Sequence, residues 1–284
     1  MISKRTVISL SLPLFLAIAA CSSVNQVSVG QNQPSKENSA PLAVAQANFS
    51  YQDYAQVLQT YVDDRGLVNY SGLQTNRAQL DRFVQAMGAV PQAVYQSWSE
   101  PKRLAFLINA YNAFTLQSII DQNPLKSSIR RIPGVWKRRK FLVAGEQKTL
   151  DNIEHATIRK EFNEPRIHAA LVCAAISCPP LLNEPYTEDK LEEQLEDRSA
   201  RWINGKHGLA IDHNSNTVAI SAIFKWFGED WLEQYQTEQF KGNAKERATL
   251  NFASQYLKPE NSQYLKQGNY KVKYLDYDWS LNKQ

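Results

Sequence analysis

The stretch PKRLAFLINAYNAFTLQSIIDQNP (101–124) constrains the fold most. Pro101 is at home at the start of a helix, and Asn123-Pro124 ends one. Between them apolar residues fall on nearly every face, so the spacing predicts a central helix buried all round. Such a helix needs a shell of one-sided elements, and the flanking sequence supplies them. YQDYAQVLQTYVD (51–63) sets Tyr54, Val57, Leu58 and Tyr61 at helical spacing. RAQLDRFVQAMGAV (77–90) sets Leu80, Phe83, Val84 and Met87 on one stripe.

Past residue 140 the signals change. KFLVAGEQKTL (140–150) reads as a hairpin about Ala144-Gly145-Glu146, and GLAIDHNSNTVAIS (208–221) as a second about Asn214-Ser215-Asn216. DNIEHATIRKEF (151–162), TEDKLEEQLEDRSARWIN (187–204) and AKERATLNFASQYL (244–257) read as helices, and NYKVKYLDYDW (269–279) alternates like a C-terminal strand. RIHAALVCAAIS (166–177) reads as a buried strand, although its periodicity also admits a helix. Helices and hairpins are segregated. The expected class is therefore α+β, a helical first half with a mainly antiparallel sheet built from hairpins.

The N-terminus reads as an address. Lys4 and Arg5 precede a 14-residue apolar run, Val7 to Ala20. That is short of the roughly 20 residues a bilayer crossing needs, so residues 1–20 are expected to be a signal peptide. Ile18-Ala19-Ala20-Cys21 resembles a bacterial lipobox. The resemblance implies that Cys21 carries lipid and tethers the chain to a bilayer in the bacterial cell envelope. The anchor would sit on the outer face of the inner membrane or on the outer membrane, with the domain in the periplasm or extracellular space. Residues 21–46 are rich in Ser, Gln, Asn and Pro and read as a flexible tether. Residues 47–284 show no compositional break and read as one globular domain. Lys+Arg 32 against Asp+Glu 28 is close to balance, which argues against nucleic acid as a partner.

Three strings stand together: LAFLINAYNAFTLQSII (104–120), TLDNIEHATIRKEF (149–162) and RIHAALVCAAISCPPL (166–181). VDDRGLVNYSGL (62–73) and ISAIFKWF (220–227) agree with them in order and spacing. Over about 50–230 the chain resembles the family called domain of unknown function 547. The resemblance implies a shared fold and an exported setting, and it implies no particular reaction. Leu107 stands where many members carry Trp, a change within the large apolar types.

Asn109 and Asn112 share a face of the apolar helix. Buried amides need partners. These two either clamp neighbouring backbone or orient a catalytic group. Asp151 and Glu154 approximate a capping box, which would give Glu154 a structural task. His155 has no such explanation. His168, Cys173 and Cys178 invite a Cys–His reading, yet neither strand parity nor helical rotation pairs His168 with Cys173 directly. Cys178 sits before Pro179-Pro180 where a regular element ends, the kind of place that presents a side chain. As a nucleophile it would take His168 or His155 as base and Asn109 or Asn112 as the orienting amide. Its position after both histidines differs from papain-like order. Alternatively Cys173 and Cys178 pair as a disulfide, which an oxidising compartment permits, or remain as buried thiols. The C-x4-C spacing is a weak zinc signal, and neither a metal nor another cofactor is expected. RRIPGVWKRRK (130–140) gathers Arg130, Arg131, Lys137, Arg138, Arg139 and Lys140 around Trp136. It reads as an anion-binding patch for a glycan or lipid, or as a solvated approach to the hairpin. On these residues the chain is expected to be a binding or scaffolding module of the envelope, with an envelope protein or an anionic glycan or lipid as partner. The alternative is a cysteine-dependent hydrolase or transferase.

Overall fold

The helix expected at 101–124 forms the centre of the molecule. The computed structural model describes residues 49–284, all within one compact unit. The expected signal peptide, Cys21 and the tether lie outside the described residues. Five helices come first: α1 (Gln52–Tyr61), α2 (Tyr70–Thr75), α3 (Ala78–Ala89), α4 (Gln92–Gln96) and α5 (Glu100–Ile120). Ser99 caps α5 by accepting from the Lys102 N–H, and every residue from Leu104 to Leu116 is buried. The one-sided helices pack around it. Tyr54 of α1 stacks on Phe83 of α3 with centroids 4.6 Å apart. None of the described helices is long and apolar enough to cross a membrane.

The first hairpin joins β1 (Phe141–Val143) to β2 (Glu146–Lys148). Its turn residues Ala144 and Gly145 both have positive φ, the turn geometry whose twist matches antiparallel strands. Phe141 stacks on Phe114 at 4.3 Å and fixes the hairpin to α5.

The helix expected over 151–162 forms with an unusual centre. Asn152–Ile158 is a π-helix, continued by α6 (Arg159–Glu161). Asp151 makes no capping bond. Instead Thr149 and Asn152 cap reciprocally: the Thr149 N–H donates to Asn152 Oδ1, and the Asn152 N–H donates to Thr149 Oγ1. The capping pair is thus displaced from the expected Asp151 and Glu154, and both carboxylates are left for other contacts.

No strand forms over 166–177. Pro165–Ala169 is a 3-10 turn, and the chain then runs irregularly to Cys178 with a single bridge between Ala175 and Leu281. Two features prevent a ladder. The Asn112 amide takes the Ala170 carbonyl at 2.9 Å and the Val172 N–H at 2.9 Å. Ala174 adopts φ 61°, which reverses the chain.

After α7 (Leu191–Ile203), strands β3 (Leu209–Asp212) and β4 (Thr217–Ile220) pair antiparallel as expected. Four helices follow: α8 (Ala222–Phe227), α9 (Leu232–Tyr235), α10 (Ala244–Ser254) and α11 (Pro259–Gln267). They form the crossover that brings β5 (Lys271–Tyr274) beside β4 in parallel. The class is α+β, and the last strand departs from the antiparallel pattern because this long connection precedes it.

Two hydrophobic clusters result. One surrounds α5, and the other gathers Trp202, Phe224, Trp231 and Phe252. The C-terminal segment runs from β5 along the seam. The Ser177 N–H donates to the Asp278 carbonyl at 3.2 Å and the Ile176 N–H to the Ser280 carbonyl at 2.8 Å. The Asn282 N–H donates to the Ala174 carbonyl, and the Val68 N–H to the Asn282 carbonyl. Tyr277 packs against both clusters.

Candidate functional site

A cavity of about 260 Å³ opens at the seam. Its wall carries two sulfurs. Cys173 and Cys178 are joined as a disulfide with Cα atoms 6.3 Å apart. The reversal at Ala174 makes this possible, since an extended strand would hold the two residues too far apart. The Cys173 N–H donates to Cys178 Sγ at 3.1 Å. The Tyr277 hydroxyl lies 3.1 Å from Cys178 Sγ and 3.3 Å from Cys173 Sγ.

The π-helix contributes Glu154 and His155, with Asp151 just ahead of it. Wider helical turns of this kind occur often where side chains are aimed at a site. The Glu154 side chain is only 12% exposed. Burial pushes the Tyr111 phenol well up, and the Glu154 charge pushes it further. Burial and then Glu154 likewise raise Tyr277, so both tyrosines keep their protons.

The two histidines belong to one network. The carboxylate of Asp230 accepts from His168 Nε2 at 2.7 Å and from Arg159 Nε at 2.6 Å. Arg159 Nη1 reaches His155 Nδ1 at 3.2 Å, and because Arg can only donate, that ring nitrogen accepts. Burial works to raise the Asp230 carboxyl, but the bonds from His168 and Arg159 prevail and hold it at about 2. His168 is buried between Phe227 and Trp231, stacked at 4.8 Å and 5.0 Å.

Aromatic side chains form the rest of the wall. Trp226, Tyr277 and Trp279 pack on one another, with Tyr277 4.8 Å from Trp226 and 4.6 Å from Trp279. Trp136 meets Trp279 edge to face at 6.2 Å. The Arg130 guanidinium lies over the Trp279 ring at 5.2 Å, and Lys137 lines the cavity 3.9 Å from Asp151. Trp226 is 40% exposed at the edge.

The structure gathers Cys178, Cys173, His168 and His155 at this cavity. Asn109 and Asn112 serve backbone instead. Asn109 donates to the Tyr186 carbonyl at 2.7 Å and accepts from its N–H at 3.0 Å, while Asn112 holds Ala170 and Val172 as described. Of the basic cluster, Lys137 lines the cavity and the exposed Arg130 lies over Trp279 of its wall. Arg139 pairs with Asp121 and covers Phe141, and Arg131, Arg138 and Lys140 are exposed. His207 is half-buried, its Nδ1 3.1 Å from Ser177 Oγ, and burial lowers its pKa. Among the described residues no group of His, Cys, Asp and Glu is arranged to hold a metal ion.

Sequence reading gives Glu154 a capping task and does not single out Tyr277, Trp226 or Trp279. Glu154 has one usable signal, its place beside His155. Tyr277 and Trp279 have none, because the parallel return of β5 carries them to the cavity.

Residues 95–203 match the family model described as Protein of unknown function, DUF547. The DUF547 match spans α5, the π-helix, the disulfide loop and α7, so it holds Glu154, His155, His168, Cys173 and Cys178. Tyr277 and the tryptophans at 226 and 279 lie beyond it, supplied by the C-terminal part of the chain. No curated protein and no solved structure matches the chain.

Proposed function

We propose that this chain is a binding module of the bacterial cell envelope, lipid-anchored through Cys21, whose cavity receives a sugar ring of an anionic glycan. The aromatic wall with a cation set on it carries this reading. Trp136, Trp226, Tyr277 and Trp279 offer flat apolar faces to the C–H face of a pyranose. Arg130 over Trp279 and Lys137 in the lining bring positive charge beside those faces, where a carboxylate or phosphate substituent would lie. Glu154 and His155 supply polar atoms for ring hydroxyls. The Cys173–Cys178 disulfide supports an oxidising compartment, in keeping with the leader and Cys21.

The other reading makes Cys178 a nucleophile with a histidine base. No contact favours it: the sulfur is bonded to Cys173, its hydrogen-bonding neighbours are the Cys173 N–H and Tyr277, and His168 and His155 bond to Asp230 and Arg159.

Fluorescence titration of the purified chain tests the glycan reading. Uronic-acid oligosaccharides should change the tryptophan emission saturably, and neutral oligosaccharides of the same length should bind more weakly. Trp279→Ala should abolish the response, and Arg130→Ala should weaken it for the anionic ligand only. A response that survives Trp279→Ala, or none with any oligosaccharide, overturns the reading.

A further inference from the structure

We propose that Cys173–Cys178 is a redox-active pair that exchanges with thiols entering the cavity, Cys173 being the sulfur attacked and Cys178 the leaving thiolate. The inference uses the cavity described above but not the identity of the glycan. It rests on an asymmetry between the two sulfurs. Cys173 is half-buried on the cavity wall, whereas Cys178 is 7% exposed. Cys178 nevertheless has two donors aimed at its sulfur, the Cys173 N–H and the Tyr277 hydroxyl, each at 3.1 Å. A neutral disulfide sulfur gains little from two donors. A thiolate gains much more, because hydrogen bonds to charged acceptors are the strong ones. The site is therefore complementary to charge that develops at Cys178 as the S–S bond breaks. Burial and the nearby Glu154 keep the Tyr277 phenol protonated, so it remains a donor. The same hydroxyl stands 3.3 Å from Cys173 Sγ and can follow the charge there in the second step. The loop itself is held from outside, by Asn112 and by the C-terminal segment, so the pair can open without the loop unravelling.

The chemistry balances as two exchanges. A substrate thiolate attacks Cys173 Sγ. The S–S bond breaks, its electron pair passes to Cys178 Sγ, and a new S–S bond joins the substrate to Cys173. A second substrate thiolate then attacks the substrate sulfur, and the electron pair of the mixed disulfide passes to Cys173. Two thiols have lost two electrons and two protons to become a disulfide, and the protein pair holds both as two thiols. A disulfide-bearing oxidant of the same compartment restores the pair by the reverse steps.

The full chain is incubated under native conditions with millimolar glutathione or with a cysteine-bearing decapeptide, and followed by intact and peptide mass. Conversion of the pair to two thiols by either reagent is expected. The Cys178→Ser variant should collect a mixed disulfide with oxidised glutathione on Cys173, and the Cys173→Ser variant should not collect one on Cys178. Tyr277→Phe should slow reduction about tenfold with unchanged circular dichroism. Should Cys178→Ser fail to fold, the Tyr277→Phe rate decides alone. A pair that resists both reagents until denaturant is added, an adduct on Cys178, or an unchanged Tyr277→Phe rate overturns the proposal. Glycan binding is measured on the oxidised chain, so its failure would leave these exchange results standing, and the reverse also holds.

Discussion

The Tyr277 hydroxyl lies 3.1 Å from the Cys178 sulfur, across 99 residues of sequence. The contact exists because the C-terminal segment threads back along the disulfide loop. Its hydrogen bonds with Ala174, Ile176 and Ser177 set the height at which Tyr277 enters the cavity. The loop in turn keeps its shape through Asn112 on the opposite side. Each of these connections makes a prediction.

Asn112 holds one carbonyl and one N–H of the loop, those of Ala170 and Val172. Asn112→Ala leaves both groups buried without the amide and should cost about 3 kcal/mol. Asn109→Ala, acting on Tyr186, should cost a similar amount. Denaturant unfolding checks both. Only Asn112→Ala should also speed the reaction of the disulfide with added thiol, because only it loosens the Cys173 loop. Equal thiol reactivity in the two variants would contradict the clamp.

Asp230 predicts a pH dependence. Its folded carboxyl is held at about 2, below the ordinary 3.8, by His168 and Arg159 against the opposing effect of burial. A lowered carboxyl stabilises the fold above its unfolded value, and that stability is lost as pH falls through the folded value. The contribution is about 2 kcal/mol, complete above pH ~4.5 and shrinking towards pH 2. Asp230→Asn should lower stability at pH 6, and its curve should fall less steeply between pH 4 and pH 2 than that of the unmodified chain. Parallel curves over that interval would show that the His168–Asp230–Arg159 network carries no such linkage.

Lipid anchoring through Cys21 is testable apart from the cavity. In a bacterial host the full chain should sediment with membranes and incorporate radiolabelled palmitate. Cys21→Ser should lose the label and move to the soluble fraction. Retention of label in the variant would place the lipid elsewhere or remove the anchor from the account.

Much of the fold is legible in local patterns. Pro101, the unbroken apolar run and Asn123-Pro124 announce α5, and Ala144-Gly145 announces the first hairpin. These features depend on neighbours within a turn or two. The 166–177 segment misleads for the opposite reason: its apolar run is a strand signal, but Asn112 takes the backbone groups a ladder would need. At the site, the histidines and cysteines stand out as rare residue types. Glu154 is hidden by a plausible capping pattern that Thr149 and Asn152 fulfil instead. Tyr277 and Trp279 carry no local mark at all, since β5 could equally have paired antiparallel by its alternation.

The most direct test of the cavity reading uses the six tryptophans. Trp136, Trp226 and Trp279 line the cavity, whereas Trp98, Trp202 and Trp231 are 6%, 2% and 0% exposed in the cores. The indole N–H signals of the ¹⁵N-labelled chain, assigned by single Trp→Phe variants, are followed as a uronic-acid oligosaccharide is added. The account predicts saturable shifts of the three cavity signals with Trp98 and Trp202 unmoved. Cavity signals that stay fixed, or shifts spread equally over all six, would contradict it.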